Sequence, residues 1–165
     1  MKTKKIVNSA LLATLICIAT MIIKIPSPLK GYVNLGDSVV LISGWLLPPF
    51  YGFLSAGIGS ALADVFLGYA VYAPATFVIK GLMAPVAYFI FKVLCNKAGN
   101  LTARITSGIL AETMMVLGYL LFESVLYGFI PSLVNIPSNA VQGVFGIVIG
   151  TILIKIFEKN NIVHK

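Results

Sequence analysis

Apolar residues come in long runs along this chain, cut by short stretches rich in proline, glycine and polar side chains. The first run covers 6–23, behind Lys2, Lys4 and Lys5. A bilayer is crossed by about 20 apolar residues in a helix, so this run is long enough to span. No A-x-A cleavage site precedes Lys24, so the segment is expected to remain as a helix and not to be removed as a signal peptide. A loop follows over 24–37, where Pro26 and Pro28 stop the helix and Gly31 and Gly36 permit sharp turns. Its length suits a lid, and Asp37 or Ser38 is placed to cap the next helix. A short apolar segment, 38–47, ends at Pro48 and Pro49, and a second long run covers 50–67. An aromatic turn over 68–74 holds Tyr69 and Tyr72. The span 75–94 is interrupted by Lys80-Gly81 and Pro85, and the polar connection CNKAGNLTAR leads into a span over 105–129. A turn with two prolines, 128–137, precedes the last span, 138–157. The pattern predicts one all-α integral membrane domain over 1–165, a six-transmembrane-helix bundle with a gating first extracellular loop.

Small residues refine this picture. Ser55, Gly59 and Ala63 share one helix face, and Gly52, Ala56, Ser60 and Asp64 share the adjoining one. Such spacing predicts a tightly packed internal helix. Ser9 with Ala13, and Ala10 with Thr14, form small-xxx-small pairs on the first helix. They suit close approach of another helix, either within the chain or from a partner protein. Trp45 is placed as an interfacial anchor.

Composition agrees with a membrane protein. Hydrophobic residues make up 59% and charged residues 10%, against about 45–50% and roughly 25% in soluble domains. The net charge of +7 does not point to nucleic acid, because the cations sit at segment ends and form no basic stripe. Six crossings place both termini on one side. Lys2, Lys4, Lys5, Lys92, Lys97, Arg104, Lys155, Lys159 and Lys165 then fall on that side, and only Lys24 and Lys30 fall opposite. The positive-inside rule makes both termini cytoplasmic, in a multi-pass protein of the plasma membrane.

The candidate chemistry is binding. The only histidine, His164, lies at the C-terminal end, so no Ser/His/Asp set and no Cys/His metal cluster is available; no cofactor is expected. Cys17 and Cys95 read as reduced, small hydrophobes. No phosphate-binding G-x-x-x-x-G-K-[ST] loop occurs, so the chain does not hydrolyse ATP by that route. Ionisable residues inside a span call for a partner or a task. Lys80 is expected to line a polar pocket, with Asn139 and Gln142 on a shared face and Glu112 or Glu123 as acceptors. Tyr69, Tyr72, Phe77 and Tyr119 could wall it. The competing reading is a structural ion pair of Lys80 with Glu112 or Asp64, and Asp64 is expected to bond a helix end or the backbone and not a ligand.

The stretches GYVNLGDSVVLISGWLLPPFYGFLSAGIGSALAD and GYAVYAPATFVIKGLMAP, with N-x-x-Q at 139–142, carry a resemblance over nearly the whole chain. They resemble the substrate-binding S components of energy-coupling factor (ECF) vitamin transporters, in the riboflavin-type group that includes hydroxymethylpyrimidine and pyridoxine-like members. The resemblance implies six helices and a vitamin site near the outer face, at Asn34, Lys80, Glu112, Tyr119, Asn139 and Gln142. It also implies docking of a transmembrane coupling subunit on the first helix, at Ser9, Ala10, Ala13 and Thr14, an imperfect match to the family's A-x-x-x-A. Two cytoplasmic ATPase subunits would complete the transporter.

Three functions are open on the sequence: a vitamin-binding subunit of an ATP-driven importer, an autonomous ion-coupled carrier, and a membrane enzyme or scaffold. Small size and the lack of an evident internal repeat argue against the second. Among vitamins, amides with a charged pair suit a compact hydroxymethylpyrimidine or pyridoxine-like ring, with riboflavin as the alternative.

Overall fold

The computed structural model describes residues 2–28 and 32–159. Lys30, Gly31, His164 and Lys165, which entered the sequence reading, lie outside them. Helix α1 covers Lys2–Ile22 and is followed by two short strands, β1 (Lys24–Pro26) and β2 (Tyr32–Asn34). Helices α2 (Gly36–Leu46), α3 (Pro49–Phe66) and α4 (Ala73–Tyr127) come next. The short α5 (Phe129–Ser132) and a 3-10 turn, Leu133–Asn135, lead into α6 (Ile136–Lys159).

Two expectations change here. The loop after α1 is an antiparallel hairpin, with Ile25 opposite Val33. The sequence CNKAGNLTAR is not an extended connection. It stays helical except at Gly99, which has φ 79° and ψ 160°. That left-handed dihedral is nearly free only for glycine, so one residue folds α4 into two arms, 73–98 and 100–127. Gly68 (φ 84°) ends α3 by the same freedom. There Tyr69 N donates to Asp64 O and Gly68 N to Val65 O, the paired bonds of a Schellman cap. That cap fixes where the aromatic turn leaves the helix.

The small-residue faces of α3 are buried as expected, from Gly52 to Asp64. A Cβ on Gly59 would come within 3.0 Å of Ile16 Cβ on α1, so these backbones lie close. Outward positions are apolar: Leu11, Phe50, Leu121, Val125 and Phe145 are all more than half exposed. A surface of this kind is stable against lipid and not against water. Lys2–Ile22, Ala73–Tyr127 and the stretch Phe129–Lys159 each have the length and hydropathy to cross a bilayer. The protein is therefore an all-helical membrane protein apart from its small hairpin.

Candidate functional site

The site begins with Asp37, in the first turn of α2, where a carboxylate also faces the favourable end of the helix dipole. It is 1% exposed and forms an ion pair with Lys80 Nζ, itself 3% exposed. Gln142 Nε2 donates to the other oxygen, Asp37 Oδ2, at 2.7 Å. Gln142 Oε1 accepts from Asn34 N at 2.9 Å and Asn34 Nδ2 at 3.3 Å. Asn34 Oδ1 in turn accepts from Gly36 N at 2.8 Å. One chain of bonds thus ties β2, α2, α4 and α6 together.

This corrects the expected pairing. Lys80 pairs with Asp37, not with Glu112 or Asp64, because α2 starts directly opposite the second turn of α4. Neither Asp37 nor Ser38 caps α2 by its side chain. Asn34 serves the free N–H of Gly36, and the Ser38 hydroxyl donates back to Leu35 O at 2.7 Å.

Above this network is a cavity of about 40 Å³. Five of the six expected ligand residues line it: Asn34, Lys80, Tyr119, Asn139 and Gln142. Lys80 Nζ lies 5.5 Å from the Tyr119 ring centroid. Glu112 is not in the lining. It is buried beside Asp37, packed against α6 where Gly143 and Gly146 carry no side chain. A Cβ on Gly146 would stand 2.8 Å from Glu112 Oε1 and 2.9 Å from Asp37 Cβ. Among the described residues both Glu112 carboxyl oxygens lack a hydrogen-bond partner.

Tyr69 and Tyr72 join the cavity wall, but Phe77 does not. Phe77 packs edge-on against Phe53, centroids 5.4 Å apart. Tyr32, which no sequence signal marked, donates its hydroxyl to Asp64 Oδ1 at 2.5 Å. Burial, then the Asp64 carboxylate, hold the Tyr32 phenol above its ordinary pKa, so it stays a donor. Asp64 therefore bonds a side chain and not a helix end, and it lines the cavity. Glu123 Oε1 accepts from Asn135 Nδ2 at 2.8 Å and from Tyr72 Oη at 3.4 Å. Thr20, Ser60 and Thr76 also line the cavity, and no sequence signal marks them. Each is a small polar residue in an apolar helix, indistinguishable from a packing position.

Three further expectations divide or fail. On α1, Ser9 is buried and donates to Tyr51 O at 3.0 Å, and Ala13 lies against Gly59. That pair is used inside the chain. Ala10 and Thr14 point outward, on a groove between α1 and α3 of about 520 Å³. Trp45 is not an interfacial anchor. It is 7% exposed, with Nε1 donating to Ser107 Oγ at 3.0 Å. Arg104 is likewise no surface cation: it is 4% exposed and holds Glu158 through two bonds, 2.6 and 3.2 Å.

The fold is that of known transporter subunits. The S component of a bacterial ECF transporter aligns over 99% of this chain and 100% of its own, with TM-score 0.74 and 20% identity. The S component for biotin from an ECF-type ABC transporter aligns over 93% and 92%, with TM-score 0.60 and 23% identity. A Pyrococcus woesei protein, itself described only as uncharacterized, is 37% identical over 136 residues, 82% of this chain and 88% of that one. The family model for the ECF-type riboflavin transporter S component matches residues 1–159. The chain belongs to that family, and is a substrate-binding S component of an ECF transporter.

Proposed function

We propose that this S component binds a small vitamin or vitamin precursor, of hydroxymethylpyrimidine or pyridoxine-like size, beneath the outer mouth of the bundle and delivers it inward. The observation that carries the reading is the convergence of Asn34, Lys80, Tyr119, Asn139 and Gln142 on one cavity. The cavity's 40 Å³ is far below the several hundred Å³ of a typical ligand pocket. Entry of even one ring requires β2 and Tyr32 to move, which supports a gating role for the first outer loop. A three-ring flavin would demand much more movement, so the smaller substrate is favoured over riboflavin.

Counting the arms of α4 separately, six helical segments traverse the bundle. The N-terminus of α1, the Gly99 bend and the end of α6 gather away from the cavity, and the cations gather with them. The cytoplasm is assigned to that end and the plasma membrane to the protein. Ala10 and Thr14 are the outward docking positions for a transmembrane coupling subunit, itself joined to two cytoplasmic ATPases. The single domain spans the whole chain. Mass spectrometry of the small molecule that co-purifies tests the substrate. Uptake by cells with and without the coupling subunit and ATPases tests the role: uptake by the chain alone would favour an autonomous carrier.

A further inference from the structure

Only five residues of this chain are acidic. Four of them, Asp37, Asp64, Glu112 and Glu123, are buried in or beside the cavity, each at most 4% exposed. Among the described residues one cation, Lys80, is ion-paired with them, and its partner is Asp37. The two carboxylates that line the cavity are left with open acceptors. Asp64 Oδ2 and Glu123 Oε2 have no hydrogen-bond partner among the described residues. The Thr76 hydroxyl also faces Asp64, but it is within 3.0 Å of Tyr119 Oη. A carboxylate can accept about four hydrogen bonds, and buried charge without a partner is costly.

The walls suit the same kind of guest. Tyr32 and Tyr69 stack at a tilt with centroids 4.8 Å apart, and Tyr72 meets Tyr69 edge-on at 6.4 Å. Tyr119 closes the side toward Lys80. Tyrosine faces attract cations, and Tyr69 already carries the Lys24 ammonium 5.6 Å from its centroid. A neutral or anionic ligand brings no positive charge to balance the two carboxyl groups on closure.

We infer that the substrate is a small ring bearing a side-chain ammonium, received by Asp64 Oδ2 and Glu123 Oε2 within the tyrosine cage. The inference rests on the vitamin-binding reading and names the chemistry of its ligand. Lys80 and Gln142 then hold Asp37 and the frame of the site, and the ligand's charge is taken by residues that the sequence reading set aside or ranked second.

The test is isothermal calorimetry on the purified full chain at pH 7, with three probes. Pyridoxamine presents an ammonium where pyridoxine presents a hydroxyl on the same ring; riboflavin is neutral and larger. Pyridoxamine is expected to bind at least tenfold more tightly than pyridoxine. Asp64→Asn and Glu123→Gln are each expected to weaken pyridoxamine at least tenfold and to shift pyridoxine less than threefold. Pyridoxine or riboflavin binding as tightly as pyridoxamine, or no binding of pyridoxamine, overturns the inference while leaving a vitamin-binding subunit. Binding of no probe, no co-purifying molecule and no uptake beside the coupling subunit and ATPases would overturn the underlying reading as well. Should Asp64→Asn not fold, the wild-type preference and Glu123→Gln decide the matter.

Discussion

Among the described residues two ion pairs hold this bundle, one at each end, and they are finished differently. At the Gly99 end, Arg104 grips Glu158 with two guanidinium nitrogens and lies over the rings of Trp45 and Phe91, 6.0 and 5.5 Å from their centroids. Among the described residues its Nε lacks a hydrogen-bond partner. At the cavity end, Lys80 holds Asp37, and around them three more carboxyl groups retain unused oxygens. The first cluster has one acid for one base among the described residues. The second has four acids for one base and lies against a cavity. A balanced pair in aromatic packing serves the fold; the unused oxygens beside the second are the groups that the proposed ligand would complete.

The largest expected effect separates the pairs most sharply. Lys80→Met leaves Asp37 buried without a counter-charge, and removing one partner of a buried pair costs about 3–5 kcal/mol. Thermal unfolding in detergent should record that loss, and the double change with Asp37→Leu should restore most of it. Stability unchanged in Lys80→Met would mean the cavity-end pair carries no weight.

Arg104→Ala is the counterpart. Glu158 is partly exposed, so the loss should be smaller, about 1.5–3 kcal/mol for hydrogen bonds to a charged group. Ligand affinity should stay within twofold; a larger drop would couple the two ends and dissolve the contrast. Gly146→Val drives a side chain into Glu112 and Asp37, and overpacking of this kind costs about 1–3 kcal/mol. It should lower the unfolding temperature and ligand affinity together. Gln142→Ala releases Asn34 from Asp37 and should weaken ligand binding about tenfold, or 1.4 kcal/mol, by calorimetry. Last, Ala10→Leu with Thr14→Leu should leave stability within about 0.5 kcal/mol and binding unchanged, yet lower uptake in cells carrying the whole transporter. Undiminished uptake would move the docking surface elsewhere.

Much of this was legible in the sequence, for identifiable reasons. Apolar runs of bilayer length set the helices, since a lipid-facing surface leaves no polar alternative. The period-four stripe on α3 announced its burial, because only small residues permit such close backbones. Lys80, Asn139 and Gln142 stood out because polar groups in an apolar span need partners.

Which partners they have was decided by the fold. Asp37 lies 43 residues from Lys80 and 105 from Gln142, and no local pattern links positions so far apart. Glu112 was as plausible a partner on sequence, but the glycines of α6 seat it beside Asp37 and outside the cavity lining. Arg104 looked like one more flanking cation until the bend at Gly99 carried it back under Trp45. Local composition determines what enters a membrane and as which element, because each residue meets lipid individually. The meeting of charges depends on how helices cross, and that is settled only when the whole bundle packs.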